Sequence, residues 1–309
     1  MYKGIFENSP HFTRFLVILF SILVCFSFFM VLGYVLAIPI FKLNLKDLTN
    51  TLELTSVQNV PLLKFLQAFY SIGLFVFPPF IVAFFFSQNI GKYLKINNLP
   101  IIPSVVLVII TVLVSLPLID FIVSLNLKIR FPANMAGIEK ELKAFEQEAD
   151  NLSTSFLQAN SAGEFIANMI VMALIPAIGE EFLFRGIFQR LIKEWTGKDH
   201  LAIWITAFMF SAMHMQFYGL IPRMLLGAYF GYLLLWSGNL WLPVIAHFVN
   251  NTIAVLIFYL NHGSGYLSNQ KPETTNIGYN LAISTILVAL LIYLFYRTEK
   301  ERQKKLPIH

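Results

Sequence analysis

The chain has 309 residues, of which 57% are hydrophobic and 13% are charged, and its formal net charge is +5. An average soluble domain carries about 25% charged residues, and a soluble protein of this size cannot hide so much apolar surface in one core. The basic residues form no stripe interleaved with aromatic residues, which argues against nucleic acid as a partner. The single cysteine, Cys25, excludes an intrachain disulfide and argues against a cysteine-based metal site.

Apolar segments recur along the whole chain. A spanning α-helix needs about 20 mostly apolar residues, and eight segments approach this length. We therefore predict an all-α fold, a polytopic transmembrane bundle of about eight spanning helices. The first span is too long for a signal-peptide core and is expected to be a retained anchor. The predicted spans cover about residues 12–41, 61–87, 101–125, 164–192, 201–217, 222–236, 240–260 and 279–296.

Prolines and glycines predict two irregular helices. Consecutive residues Pro78 and Pro79 remove two backbone donors from the second span, so a kink is expected there. Pro176 and Gly179 predict a break in the fourth span. Between the third and fourth spans, apolar residues at helical spacing alternate with acidic residues in segment 137–155. This pattern predicts an amphipathic helix that lies on or near the membrane surface.

Three regions follow from these patterns: residues 1–163 with three spans and the amphipathic helix, 164–260 with the chemistry, and 261–309 with the last span and a basic tail. Eight crossings place both termini on one side of the membrane. That side has more Lys and Arg than the other, so we expect both termini in the cytoplasm and the protein in a bacterial cytoplasmic (inner) membrane.

An E-E-x-x-x-R string in the fourth span carries the first ionisable cluster. Glu181 and Arg185 are four residues apart, so they share a helix face and can form an ion pair. Glu180 lies about 100° away around the helix and would not share that pair. A buried carboxylate outside an ion pair suits the role of general base.

Two further strings place polar groups in apolar segments. Phe210 and His214 are one helical turn apart, and so are His247 and Asn251. Each string alone is typical of polar groups that hold helices together. Ionisable groups within spanning helices are costly, however, and three successive regions contain them. If the helices pack together, they enclose a carboxylate, two imidazoles and an amide, which favours a functional site.

The three strings, in this order, resemble the CAAX protease and bacteriocin-processing (CPBP) family, which includes the type II CAAX prenyl endopeptidases. The resemblance covers residues 164–260, and the first three spans carry no matching motif. It implies that Glu180 is the catalytic glutamate, that His214 helps it to activate water, and that His247 and Asn251 stabilise the oxyanion. It implies a supporting role for Glu181 and Arg185. The six catalytic-site positions are Glu180, Glu181, Arg185, His214, His247 and Asn251.

The resemblance implies an intramembrane endopeptidase that hydrolyses peptide bonds near the membrane surface. Its partners would be membrane lipids and a peptide or protein substrate, lipid-modified or membrane-bound. A catalytic zinc ion held by Glu180, His214 and His247 is the alternative mechanism. The lack of an H-E-x-x-H string and the position of Asn251 beside His247 favour metal-independent chemistry. The alternative functions are a non-catalytic immunity or regulatory protein and, less favoured, a transporter.

Overall fold

The computed structural model describes residues 4–43, 59–129, 131–261 and 277–305. Helices make up the regular structure of these residues, with no β-strand among them, which confirms the predicted all-α class. Residues 262–276 and 306–309 of the predicted third region lie outside the described residues. The helices are α1 His11–Phe41, α2 Val60–Phe86, α3 Ile90–Leu94, α4 Ile102–Val114, α5 Leu116–Asn126, α6 Ala136–Leu157, α7 Ala162–Thr196, α8 Asp199–Ala212, α9 Leu220–Ser237, α10 Trp241–Leu260 and α11 Ile277–Lys305.

Six helices in the described residues are long and apolar enough to cross a membrane, namely α1, α2, α7, α9, α10 and α11. The bent pair formed by α4 and α5, which meet at 45°, raises this number to seven if the pair is one span. The chain is therefore an integral membrane protein. The predicted count of about eight is not confirmed. The predicted span at residues 201–217 folds as α8, which has 14 residues and is shorter than a typical span.

Helix α7 is continuous, so the break predicted at Pro176 and Gly179 is wrong. A π-helical turn, Met169–Leu174, precedes the α-helical segment that contains Pro176, and a second one, Phe182–Phe188, follows that segment. Proline has no backbone N–H, so one helical hydrogen bond is lost at Pro176. The π turn changes the hydrogen-bonding pattern there, and the helix continues past the proline.

A similar π turn occurs in α2. Segment Ile72–Val76 precedes Pro78 and Pro79, where a kink was predicted. This part of α2 packs directly against Gly179 of α7. A Cβ atom built on Gly179 would lie 2.7 Å from Cβ of Phe75, which real structures do not show. The glycine therefore permits a close approach of the two helices beside Glu180.

The middle of α7 lies at the centre of the bundle, because every residue from Glu181 to Gln189 is buried. The largest apolar cluster surrounds it and includes Phe75 of α2, Phe182 of α7 and Phe210 of α8. This cluster joins helices on both sides of the boundary predicted at residue 164, and the division into three regions stays a prediction. The Glu181 and Arg185 side chains in the middle of α7 thus face the protein interior.

The amphipathic helix is confirmed as α6, which begins at Ala136 and ends at Leu157. Only Phe156 of this helix is buried. This is expected for a helix that packs one face against the bundle and leaves the other faces exposed. Polar side chains of α6 reach the connection between α8 and α9, which includes a 3₁₀ turn at Phe217–Gly219. Helix α6 therefore covers the end of the bundle at which α8 ends and α9 begins.

Candidate active site

A buried ion pair occupies the middle of α7. The Arg185 Nη1 atom lies 2.8 Å from Glu181 Oε1, and the side chains are 1% and 0% exposed. Arg185 Nη2 donates a second hydrogen bond to the backbone oxygen of Gly227 at 2.9 Å. The guanidinium carbon also lies 4.6 Å from the ring centre of Phe210. The spacing of four residues correctly predicted this pair.

The same carboxylate oxygen also fixes His247. Glu181 Oε1 lies 2.8 Å from His247 Nδ1. A carboxylate accepts hydrogen bonds, so Nδ1 carries a proton. The imidazole stacks on Phe230 with ring centres 5.3 Å apart. Glu181 thus sets both the orientation and the tautomer of His247.

Glu180 stands outside the ion pair, as the helix spacing predicted. Its Oε2 atom lies 3.9 Å from His247 Nε2, and its side chain is 14% exposed. This distance is too long for a direct hydrogen bond. A water molecule that bridges the two atoms is the usual way to satisfy such a pair. Glu180 and His247 therefore offer two polar atoms to a small ligand between them.

His214 lies in the turn after α8 and is exposed. Its Nδ1 atom is 2.9 Å from the backbone oxygen of Phe210, which can only accept a hydrogen bond. The proton is therefore on Nδ1, and Nε2 of the neutral ring can accept a proton. The Phe210 ring contacts both imidazoles, with ring centres 5.2 Å from His214 and 5.8 Å from His247. All three sequence strings thus meet around Phe210.

Asn251 lies one turn beyond His247 on α10. Its Oδ1 atom accepts a hydrogen bond from Asn250 Nδ2 at 3.3 Å. With the oxygen engaged in this way, both N–H groups of the Asn251 amide stay available as donors. Asn250, which the sequence analysis did not assign to the site, therefore orients the amide of Asn251.

Arg223, on the first turn of α9, is the charged residue that the sequence analysis missed. Its Nη2 atom donates to Gln216 Oε1, and its charge acts electrostatically on both Glu180 and His214. No string of the sequence links Arg223 to the site. Only the fold, which brings the start of α9 back towards the middle of α7, shows the relation.

The donor types of the site suit zinc, because Glu180 and the Nε2 atoms of His214 and His247 are common ligands of this metal. Their spacing does not form a ready site. The described residues contain no group of three or more His, Cys, Asp or Glu side chains that could hold a metal ion.

The fold and the site define an integral helical membrane protein with an ionisable site in its interior. Residues 162–253, which include all six predicted site positions, match the family described as type II CAAX prenyl endopeptidase Rce1-like. This match confirms, for residues 162–253, the resemblance found in the sequence.

One curated relative is the uncharacterized protein YpbD of Bacillus subtilis (strain 168). It is 30% identical to this chain over 92 residues, which are 28% of this chain and 44% of the relative. The chain thus spans less than half the length of the relative that it matches. No solved structure matched the chain.

The ion pair leads to a prediction about stability. We expect Glu181→Ala to lower the free energy of unfolding by about 3–5 kcal/mol, because Arg185 would remain buried without its partner. Glu301→Ala is the matched control, since it removes an exposed pair with Lys304, and such pairs contribute about 0–1 kcal/mol. Unfolding in detergent, followed by circular dichroism, measures both. Equal effects of the two substitutions would contradict the structural importance of the buried pair.

Proposed function

We propose that the protein is an intramembrane endopeptidase that hydrolyses peptide bonds near the membrane surface. One observation carries the proposal: in the segment that matches the Rce1-like family, Glu180 stands outside the Glu181–Arg185 pair and faces His247 at 3.9 Å. A carboxylate that lies outside the arginine pair and beside an oriented imidazole suits the activation of water.

In the proposed mechanism, Glu180 and His214 activate the attacking water. The Nε2 atom of His214 accepts a hydrogen bond from the water, and the Glu180 carboxylate takes the proton as the oxygen attacks the peptide carbonyl carbon. Glu180 then passes this proton to the leaving amine. The exposed position of His214 next to the α8–α9 connection gives water a way to the site.

The negative charge that develops on the carbonyl oxygen needs hydrogen-bond donors. Asn251 supplies a side-chain N–H, and His247 supplies Nε2–H in its doubly protonated form. The carboxylate of Glu181 on the other ring nitrogen supports that form. Removal of one such donor typically costs about 3 kcal/mol of transition-state stabilisation. Arg185 holds Glu181 in place and so acts through His247.

We also propose that the protein lies in a bacterial inner membrane with both termini in the cytoplasm. Arg14 of α1 pairs with Glu194 at the end of α7 at 2.6 Å, and Arg302 of α11 donates to the backbone oxygen of Ser237 at the end of α9. The start of α1 thus lies beside the end of α7, and the end of α11 lies beside the end of α9, which supports a common side for the two termini. Tags at the two termini should be digested by protease in inverted vesicles and protected in spheroplasts. Digestion in spheroplasts would reverse the orientation.

The catalytic assignment predicts a loss of cleavage. We expect Glu180→Gln and His214→Ala each to lower peptide cleavage by about 10²-fold or more, because general acid–base catalysis contributes this much. Mass spectrometry of membrane and peptide fractions from wild-type and Glu180→Gln cells identifies the substrates and measures the loss. Glu301→Gln, an exposed change on α11, is the control. Unchanged peptide fractions and an unchanged phenotype in Glu180→Gln cells would instead favour a non-catalytic immunity or regulatory protein.

Metal independence is a separate prediction. We expect the purified protein to keep its activity after strong chelation, since Glu180, His214 and the oxyanion donors complete the mechanism without a metal. Elemental analysis before and after chelation, together with the cleavage rate, measures this. Stoichiometric zinc whose removal abolishes cleavage, and whose return restores it, would establish the alternative in which Glu180, His214 and His247 bind the metal.

A further inference from the structure

Helix α6 contacts the α8–α9 connection through its carboxylates. Asp150 Oδ1 accepts a hydrogen bond from Gln216 Nε2 at 3.3 Å, and Glu146 Oε2 accepts one from the backbone N–H of Tyr218 at 3.4 Å. Gln216 in turn accepts a hydrogen bond from Arg223. A polar relay therefore connects α6, through Gln216, to the arginine at the start of α9.

Arg223 has one donor group that the fold does not use. Among the described residues, its Nη1 atom is buried and has no hydrogen-bond partner, whereas Nη2 is held by Gln216. The guanidinium packs against Gly219: a Cβ atom added there would collide with Arg223 Nη1 and would lie 2.7 Å from Arg223 Cζ. A buried donor without a partner is costly, so a group fixed in this way is prepared for a ligand.

The position of Arg223 indicates what this ligand does. Its charge acts on Glu180 and His214 and also on Glu146 and Asp150 of α6. Burial raises the pKa of the Asp150 carboxyl, and the charge of Arg223 lowers it. Arg223 is thus linked to α6 through Gln216 and interacts electrostatically with the proposed catalytic pair.

We propose that Arg223 is a specificity-determining residue that binds a carboxylate of the substrate peptide. This inference rests on the proposed endopeptidase function. A guanidinium presents N–H donors in a planar fork that matches a carboxylate, and the Nη1 donor is free to form such a bond. The carboxylate comes either from the C-terminus of the substrate or from an Asp or Glu side chain near the scissile bond.

In the absence of substrate, the carboxylates of Glu146 and Asp150 act electrostatically on Arg223. A substrate carboxylate must compete with them, because both act on the same guanidinium. Removal of the charge of Asp150 should therefore strengthen the binding of acidic peptides, whereas removal of Arg223 should weaken it. If Arg223 had only a structural role, neither substitution would change the preference for acidic over neutral peptides, because the binding of both kinds would be affected alike.

The test measures binding and not turnover. Glu180→Gln protein is incubated with acetylated hexapeptide libraries of apolar side chains, one with free C-terminal carboxylates and one with C-terminal amides. A third library has amide ends and one internal Glu. Mass spectrometry of the retained peptides gives the preference for each acidic library over the neutral one. We expect a preference of about tenfold for at least one acidic library, and which one it is identifies the source of the carboxylate.

The variants are made in the same Glu180→Gln background. Arg223→Gln should reduce the preference to about one, and Arg223→Lys, which keeps the charge without the fork, should leave an intermediate value. Asp150→Asn should increase the preference. Arg297→Gln, an exposed arginine on α11, is the matched control and should leave it unchanged. If Arg223→Gln does not fold, the Arg223→Lys and Asp150→Asn variants still test the inference.

Equal retention of acidic and neutral peptides by the Glu180→Gln protein would overturn the inference, and so would a preference that survives Arg223→Gln. These outcomes are distinct from a failure of the proposed function. Cleavage by the wild-type protein without any preference for acidic peptides would refute the role of Arg223 alone. An Arg223-dependent preference without cleavage would refute the peptidase and leave the carboxylate site in place.

Discussion

The Glu181 carboxylate is the group on which the arrangement of the site depends. Its Oε1 atom accepts hydrogen bonds from both Arg185 and His247. A charge that is removed from water must be compensated by partners with good geometry, and a broken buried pair is strongly destabilising. The conformations of α7 and α10 are therefore coupled at one oxygen atom. Glu180, at the next position of the helix, points about 100° away and lies outside the Glu181–Arg185 pair.

The backbone of α7 makes this coupling feasible. Two π turns flank the segment from Ile175 to Glu181, and Arg185 lies within the second one. Insertions of this kind are frequent at functional sites, because they redirect side chains within an otherwise regular helix. On the opposite face of the helix, Gly179 allows contact with Phe75 of α2. The N-terminal helices, which carry no sequence motif, thus hold the segment that carries Glu180 in position.

The sequence predicted what depends on local geometry. The spacing of four residues identified the Glu181–Arg185 pair, and the 100° step of the helix separated Glu180 from it. The uninterrupted course of α7 was not predicted, because a proline reads as a helix break unless the surrounding packing supports a π turn. The role of Arg223 was missed for a similar reason: its relation to Glu180 and His214 depends on how α8 and α9 return to α7, and no spacing along the chain encodes that.

The two histidines illustrate how the environment separates the roles of identical side chains. His247 is buried, stacks on Phe230 and has the Glu181 carboxylate on Nδ1, which fixes the ring. His214 is exposed and has a neutral backbone carbonyl on Nδ1, so its Nε2 atom can accept a hydrogen bond from the water, while Glu180 takes the proton in the proposed mechanism. The Phe210 ring lies between them and keeps the imidazoles in separate surroundings. Peptide hydrolysis needs a hydrogen-bond donor for the developing oxyanion and an acceptor for the attacking water. In the proposed mechanism, His247 is the donor and His214 is the acceptor.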